Sequence, residues 1–282
     1  MGTTPGRFLT FTLVGISKSR LFFSSCLSSL ALALAALGLL AAGNASAQMR
    51  PLSDGELSTV SGQGLFTVSN SSYNGFDFTR IALDADVTLN ANLANLRLGE
   101  YSYGPRNGGG ADLDISALRF GRSDAGDARR LVQITNPYFE FVYRNIGSAG
   151  QREVIGMRLG FDGIAGDIGM KIATLSGAMR IDAGAAGVID SAFDPGGGKR
   201  WDGSCAGCAL SLSQVGGVTA GDAAGPSRDF WISVLKTPVQ FQAAPGMPAL
   251  TEAQAGIWLN WRDKLTALNL TGLVPANNPP GH

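Results

Sequence analysis

Histidine is almost missing from this chain of 282 residues: there is one, His282, at the last position. Chain ends are seldom tied down, so Ser-His-Asp and Cys-His catalysis and His-bearing zinc sites lack their central residue. Cysteine is nearly as scarce. Cys26 falls in an apolar leader, which leaves Cys205 and Cys208 in the body of the chain. A zinc site built from four cysteines needs two more thiols than that. Lysine is rare, and 17 of the 22 acidic residues are Asp. Asp and Gly are poor helix formers and favour turns between strands.

The N-terminal stretch lacks acids altogether before Asp54. Arg7, Lys18 and Arg20 precede an apolar run from Leu27 to Ala42, and Ala45-Ser46-Ala47 fits the small-x-small cleavage pattern. A secretory signal peptide over 1–47, with Gln48 as the mature start, is the expected reading. The competing reading is an uncleaved anchor, since Leu21 to Gly43 nearly reaches a bilayer span. The place of the Ala-Ser-Ala site favours cleavage. Without the leader's three basic residues, 19 of the 22 remain against 22 acids, a formal net charge of −3. Such a balance gives no electrostatic reason to expect nucleic acid or anionic lipid as a partner. No second apolar run approaches a membrane span, so no helical span is expected after cleavage.

What the chain has in quantity is alternation. Ile81, Leu83, Ala85, Val87, Leu89, Ala91 and Leu93 hold period 2 for 13 residues, which predicts one half-buried strand or two co-linear ones. The phase slips at Leu96 and Leu98, as a bulge or short turn near Asn95 would cause. Leu113, Ile115 and Ala117 alternate likewise and slip at Leu118. Tyr138-Phe139-Glu140-Phe141-Val142-Tyr143 is aromatic and β-branched, and Ile155, Met157, Leu159 and Phe161 form another run. Phe230 to Phe241 is a strand candidate interrupted by Pro238. Gly, Pro and Asp clusters punctuate these runs. Residues 154–190 set glycines among short apolar steps, which fits a stacked solenoid or a sheet with close backbone approach. The expected fold is all-β: a many-stranded antiparallel sheet, sandwich or β-solenoid-like body with one short N-terminal helix. A single β-rich domain is expected over 65–275, with a Gly-rich excursion at 183–228 and a disordered tail at 276–282.

Three motifs carry chemistry worth weighing. Cys205-Ala206-Gly207-Cys208 reads as a short structural disulfide in an oxidising compartment; a redox pair would want a helix N-terminus or cationic neighbours. Ser233-Val234-Leu235-Lys236 matches S-x-x-K, but in a strand Ser233 and Lys236 point to opposite faces, and the serine enzymes place this motif on a helix. Asp84 with Asp86, and Asp112 with Asp114, share strand faces. Calcium would explain carboxylates there, and a solvated outer face explains them more simply. An acid pair for glycoside hydrolysis is the enzymatic reading, although nothing in the spacing selects one.

Leu52-Ser53-Asp54-Gly55-Glu56-Leu57 opens a short helix with both ends specified. Ser53 and Glu56 form a capping box, Leu52 and Leu57 a hydrophobic staple, and Gly62 suits the C′ position. So short a helix needs a docking surface, most simply offered to Leu57 and Val60 by the first strands. The residues Leu52, Asp54, Glu56, Leu57, Val60, Gly62 and Gln63 resemble the L-x-D-x-E-L-x-x-V-x-G-Q segment of a poorly characterised family. Its members are secreted Gram-negative β-rich proteins, some labelled pilus-system proteins. The resemblance covers about 13 residues and brings no catalytic residues. It implies Leu52, Ser53, Asp54, Glu56, Leu57, Val60, Gly62 and Gln63 as a start or recognition element.

Together these features lead to the expectation of an exported, non-enzymatic structural or adhesive protein of the cell surface or a pilus. Its expected location is the periplasm, outer-membrane surface or exterior of a Gram-negative bacterium. Expected partners are pilus or cell-envelope proteins, or further copies of itself. No cofactor is expected beyond the calcium alternative. An outer-membrane β-barrel and a periplasmic hydrolase using paired carboxylates are the competing readings.

Overall fold

Asn74 and Gly75 reverse the chain directly after its first strand. Their φ values of 49° and 84° give the type I′ turn, whose twist matches that of the strands it joins. The turn links β1 (Phe66–Tyr73) to β2 (Phe76–Leu83), in register from Phe66↔Leu83 to Tyr73↔Phe76. The structure, a computed structural model, describes residues 65–103, 108–146, 150–205, 208 and 210–278. The expected signal peptide at 1–47, and the segment at 48–64 with its expected capped helix, lie outside these.

The alternating run at 81–93 is not one strand. It is shared among the end of β2, then β3 (Asp86–Leu89), then the start of β4 (Ala91–Tyr103), with breaks after Leu83 and at Asn90. β3 pairs with β6 (Val132–Ile146), while β4 turns away to pair with β5 (Gly108–Phe120). Asn95 takes a positive φ of 53°, as short polar side chains tolerate. It is unpaired opposite Ser116, where the pairing of β5 with β7 also shifts. These are the places where the sequence phase slips.

The spine is β7 (Gln151–Leu175), 25 residues long. One of its edges pairs with β6 and then with β5. The other pairs with β11 (Trp231–Leu235) and then with β10 (Gly217–Ala220). Its glycines serve close approach, not a solenoid. A Cβ on Gly160 would lie 2.6 Å from the Tyr138 hydroxyl and 2.7 Å from the Phe230 carbonyl oxygen. Gly166, with φ 133°, stands where β7 passes from one neighbour to the next.

The remaining strands are β8 (Gly177–Asp182), β9 (Val188–Asp190), β12 (Gly256–Trp261) and β13 (Leu265–Ala267). Following hydrogen-bonded neighbours from β7 through β10, β13, β8, β12 and β11 returns to β7, so six strands close a barrel. β8 runs parallel to β12 and β13, and the other pairs are antiparallel. The fold is all-β, as expected, with a closed barrel in place of a sandwich or solenoid. One buried cluster joins the barrel strands to Leu113 and Ile115 through Ile168, Met179, Trp201 and Trp261. A second gathers Phe78, Val142, Trp231, Phe241 and Trp258.

Two expectations need correction. The excursion at 183–228 is not uniformly irregular: it supplies β9 and β10, and Trp201, Leu212 and Val215 are buried. Single apolar residues at irregular spacing anchor it, which leaves no period to read. Residues 276–278 are not a loose tail. Asn277 is buried; its side-chain NH2 donates to the Phe120 carbonyl oxygen (3.0 Å) and to Asn92 Oδ1 (3.1 Å). Its Oδ1 accepts from Asn90 (3.0 Å). Buried polar groups so satisfied hold a chain end in place. Residues 279–282, with His282, lie outside the described residues.

Candidate functional site

Pairing across β1, β2, β6, β7, β11 and β12 lines up two neighbouring rows of side chains on opposite faces of one sheet. One row is Val68, Ile81, Phe139, Leu159, Ile232 and Leu259, apolar at every strand. The next is Ser69, Arg80, Glu140, Arg158, Ser233 and Trp258. Alternation along each strand sends the rows to opposite faces.

The polar row is covered from Glu140 through Trp258, while Ser69 at its β1 end is exposed. Glu140 is 5% exposed and Arg158 7%, and Arg158 Nε donates to Glu140 Oε1 at 2.7 Å. The Arg158 guanidinium also lies 4.3 Å from the centre of the Phe241 ring. Arg80 caps the Tyr138 ring at 3.7 Å and donates to Asp162. Burial pushes the Tyr138 phenol above its ordinary pKa, against the pull of Arg158 and Arg80. A pocket of about 360 Å³ opens here, lined by Arg80, Glu140, Arg158, Asp162 and Asp229 among others. Its carboxylates do not pair with one another. Glu140 is held by Arg158 and Asp162 by Arg80. Asp229 accepts from the backbone N–H groups of Arg262 and Asp263 and from Asn260 Nδ2. Burial raises the Asp229 pKa, partly offset by those donors.

The apolar row faces the open side from Val68 to Ile232, and Leu259 at its end is buried. Phe139 is 49% exposed, Leu159 41% and Val68 62%. With Leu93, Leu98, Leu118 and Phe120 from the β4–β5 hairpin, this face forms a cleft of about 580 Å³. The inversion has a physical cost on both sides. Full burial of a Phe or Leu side chain would gain about 1.5–3 kcal/mol, and a buried ion pair seldom repays its desolvation. Contiguous exposed apolar surface is uncommon on monomeric soluble proteins.

The sequence-derived candidates divide clearly. Cys205 and Cys208 form a disulfide with Cα atoms 5.0 Å apart, in a loop closed by the bond from Leu212 N–H to the Asp202 carbonyl oxygen (2.8 Å). Ser233 is fully buried in β11, and Lys236 is exposed and pairs with Glu153 at 3.1 Å, so S-x-x-K assembles nothing. Asp84 and Asp86 are exposed. Asp112 departs from the solvated reading: it is buried, accepts from Ser176 Oγ (2.7 Å) and the Ile257 N–H (3.0 Å), and lies 3.3 Å from Lys199 Nζ. It bolts β5 to β12. Among the described residues no group of three or more His, Cys, Asp or Glu side chains could hold a metal ion. The start element Leu52, Ser53, Asp54, Glu56, Leu57, Val60, Gly62 and Gln63 lies outside the described residues. Missed at the sequence level were Glu140 and Arg158, although a lone acid inside an aromatic strand is a signal that some cation waits on a neighbouring one.

Comparison of the chain with protein-family models, curated proteins and solved structures finds no match.

Proposed function

We propose that this chain is an exported, non-enzymatic protein of the bacterial envelope that works by contact, as a structural or adhesive component. The observation that carries the reading is the inverted sheet: Phe139 and Leu159 stand open to solvent while Glu140 and Arg158 are covered. A chain selected for stability alone would place these faces the other way round. The resemblance at residues 52–63 supports a pilus-associated or cell-surface setting. The strand lengths favour contact over barrel insertion: β8, β10, β11, β12 and β13 have 6, 4, 5, 6 and 3 residues, where a membrane-crossing strand needs about 9–11. The carboxylates of the polar pocket are occupied by arginines or backbone donors, which gives the hydrolase reading no free acid pair. Fractionation of cells producing the protein tests this. The protein should stay with the envelope, be reached by added protease on intact cells, and be released by carbonate or urea. Extraction by detergent alone would instead mark an integral barrel.

A further inference from the structure

We propose that two copies of this chain join edge to edge through β1, extending one sheet across a two-fold axis. β1 ends the strand order, and among the described residues it pairs with β2 alone. All eight of its residues, Phe-Thr-Val-Ser-Asn-Ser-Ser-Tyr, are exposed. Soluble proteins guard such edges with lysine, proline, bulges or inward charges, and β1 has no proline and no charge.

The backbone says which groups are offered. Tyr73 and Phe76 close a two-residue hairpin, so theirs is a hydrogen-bonded pair and the pattern alternates from there. The bond from Asp84 N–H to the Leu65 carbonyl oxygen (3.0 Å) fits the same alternation at the far end. Odd residues of β1 therefore bond to β2. Phe66, Val68, Asn70 and Ser72 direct N–H and C=O outward.

A second β1 laid antiparallel satisfies these groups with itself. Centring the axis on Ser69 sets Val68 of one copy opposite Asn70 of the other, and Phe66 opposite Ser72, for about eight backbone bonds. Paired residues share a sheet face, so the face that carries Val68 continues from one copy into the next, with Val68 of each copy opposite Asn70 of the other. No like charges meet at the seam. The occupant is a second copy because the edge is self-complementary in length, charge and face.

The test is sedimentation of the purified protein over the micromolar range, with three variants. The wild type should sediment at twice the monomer mass. Ser69→Cys should form a reducible cross-linked dimer, since a non-hydrogen-bonded antiparallel pair sits at about 4.5 Å between Cα atoms, within disulfide reach. Asn70→Pro removes an outward N–H and spares the β1–β2 bonds, so it should be monomeric with a native melting curve. Asn70→Lys sets two like charges near the axis and should also be monomeric, with no change to the β1–β2 backbone bonds. A wild type that is monomeric throughout, or a dimer unchanged in the folded Asn70 variants, would overturn the proposal.

Discussion

Arg158 and Glu140 stabilise the fold only as a pair. Removing Arg158 leaves a carboxylate in a site 5% exposed, and breaking a buried pair from one side costs about 3–5 kcal/mol. Arg158→Ala should lower the unfolding free energy measured in urea by that much, whereas Glu140→Leu with Arg158→Met should return stability to within about 1 kcal/mol of wild type or above it. Tyr138 gives a pH signature. Its folded pKa is raised by burial, so the folded state keeps a proton that the unfolded state releases near pH 10. This contribution is present below about pH 10 and is lost as pH rises through the raised value. Melting temperatures between about pH 9 and 11 should fall less steeply for Tyr138→Phe than for wild type.

At the scale of elements, period-2 alternation made the strands legible, because half-buried strands write it directly into sequence. The run at 81–93 was misjoined because Ala85 and Asn90 break it without Gly or Pro. Asn74-Gly75 was available as a hairpin signal. Which face turns inward was not legible. Glu140 in isolation reads as outward, and only the register that sets it beside Arg158 reverses that. The Cys205–Cys208 clip was readable from its spacing, on the expectation of an oxidising compartment. It closes a short loop, so Cys205→Ser with Cys208→Ser should cost about 2 kcal/mol or less, seen as a modest shift in thermal melting. Asn277 was not readable, because its partners Asn90 and Asn92 are distant in sequence. Asn277→Ala leaves those groups and the Phe120 carbonyl without their donor or acceptor and should cost about 1–3 kcal/mol in chemical denaturation.

For the molecule as a whole, a closed six-stranded barrel braces an open sheet whose exposed side is apolar. The all-β class was legible; closure was not, since it depends on β7 meeting both β10 and β11 along one 25-residue strand. The central claim is that the Phe139–Leu159 face is the working contact surface. Its most direct test is envelope retention of Phe139→Ser with Leu159→Ser, measured beside the wild type in fractionated cells. Both side chains are about half exposed, so the variant should lose about 1 kcal/mol per site, a fall of several degrees in melting temperature, and remain folded, yet appear in the soluble fraction. A variant that folds and stays on the envelope as fully as the wild type would contradict the claim.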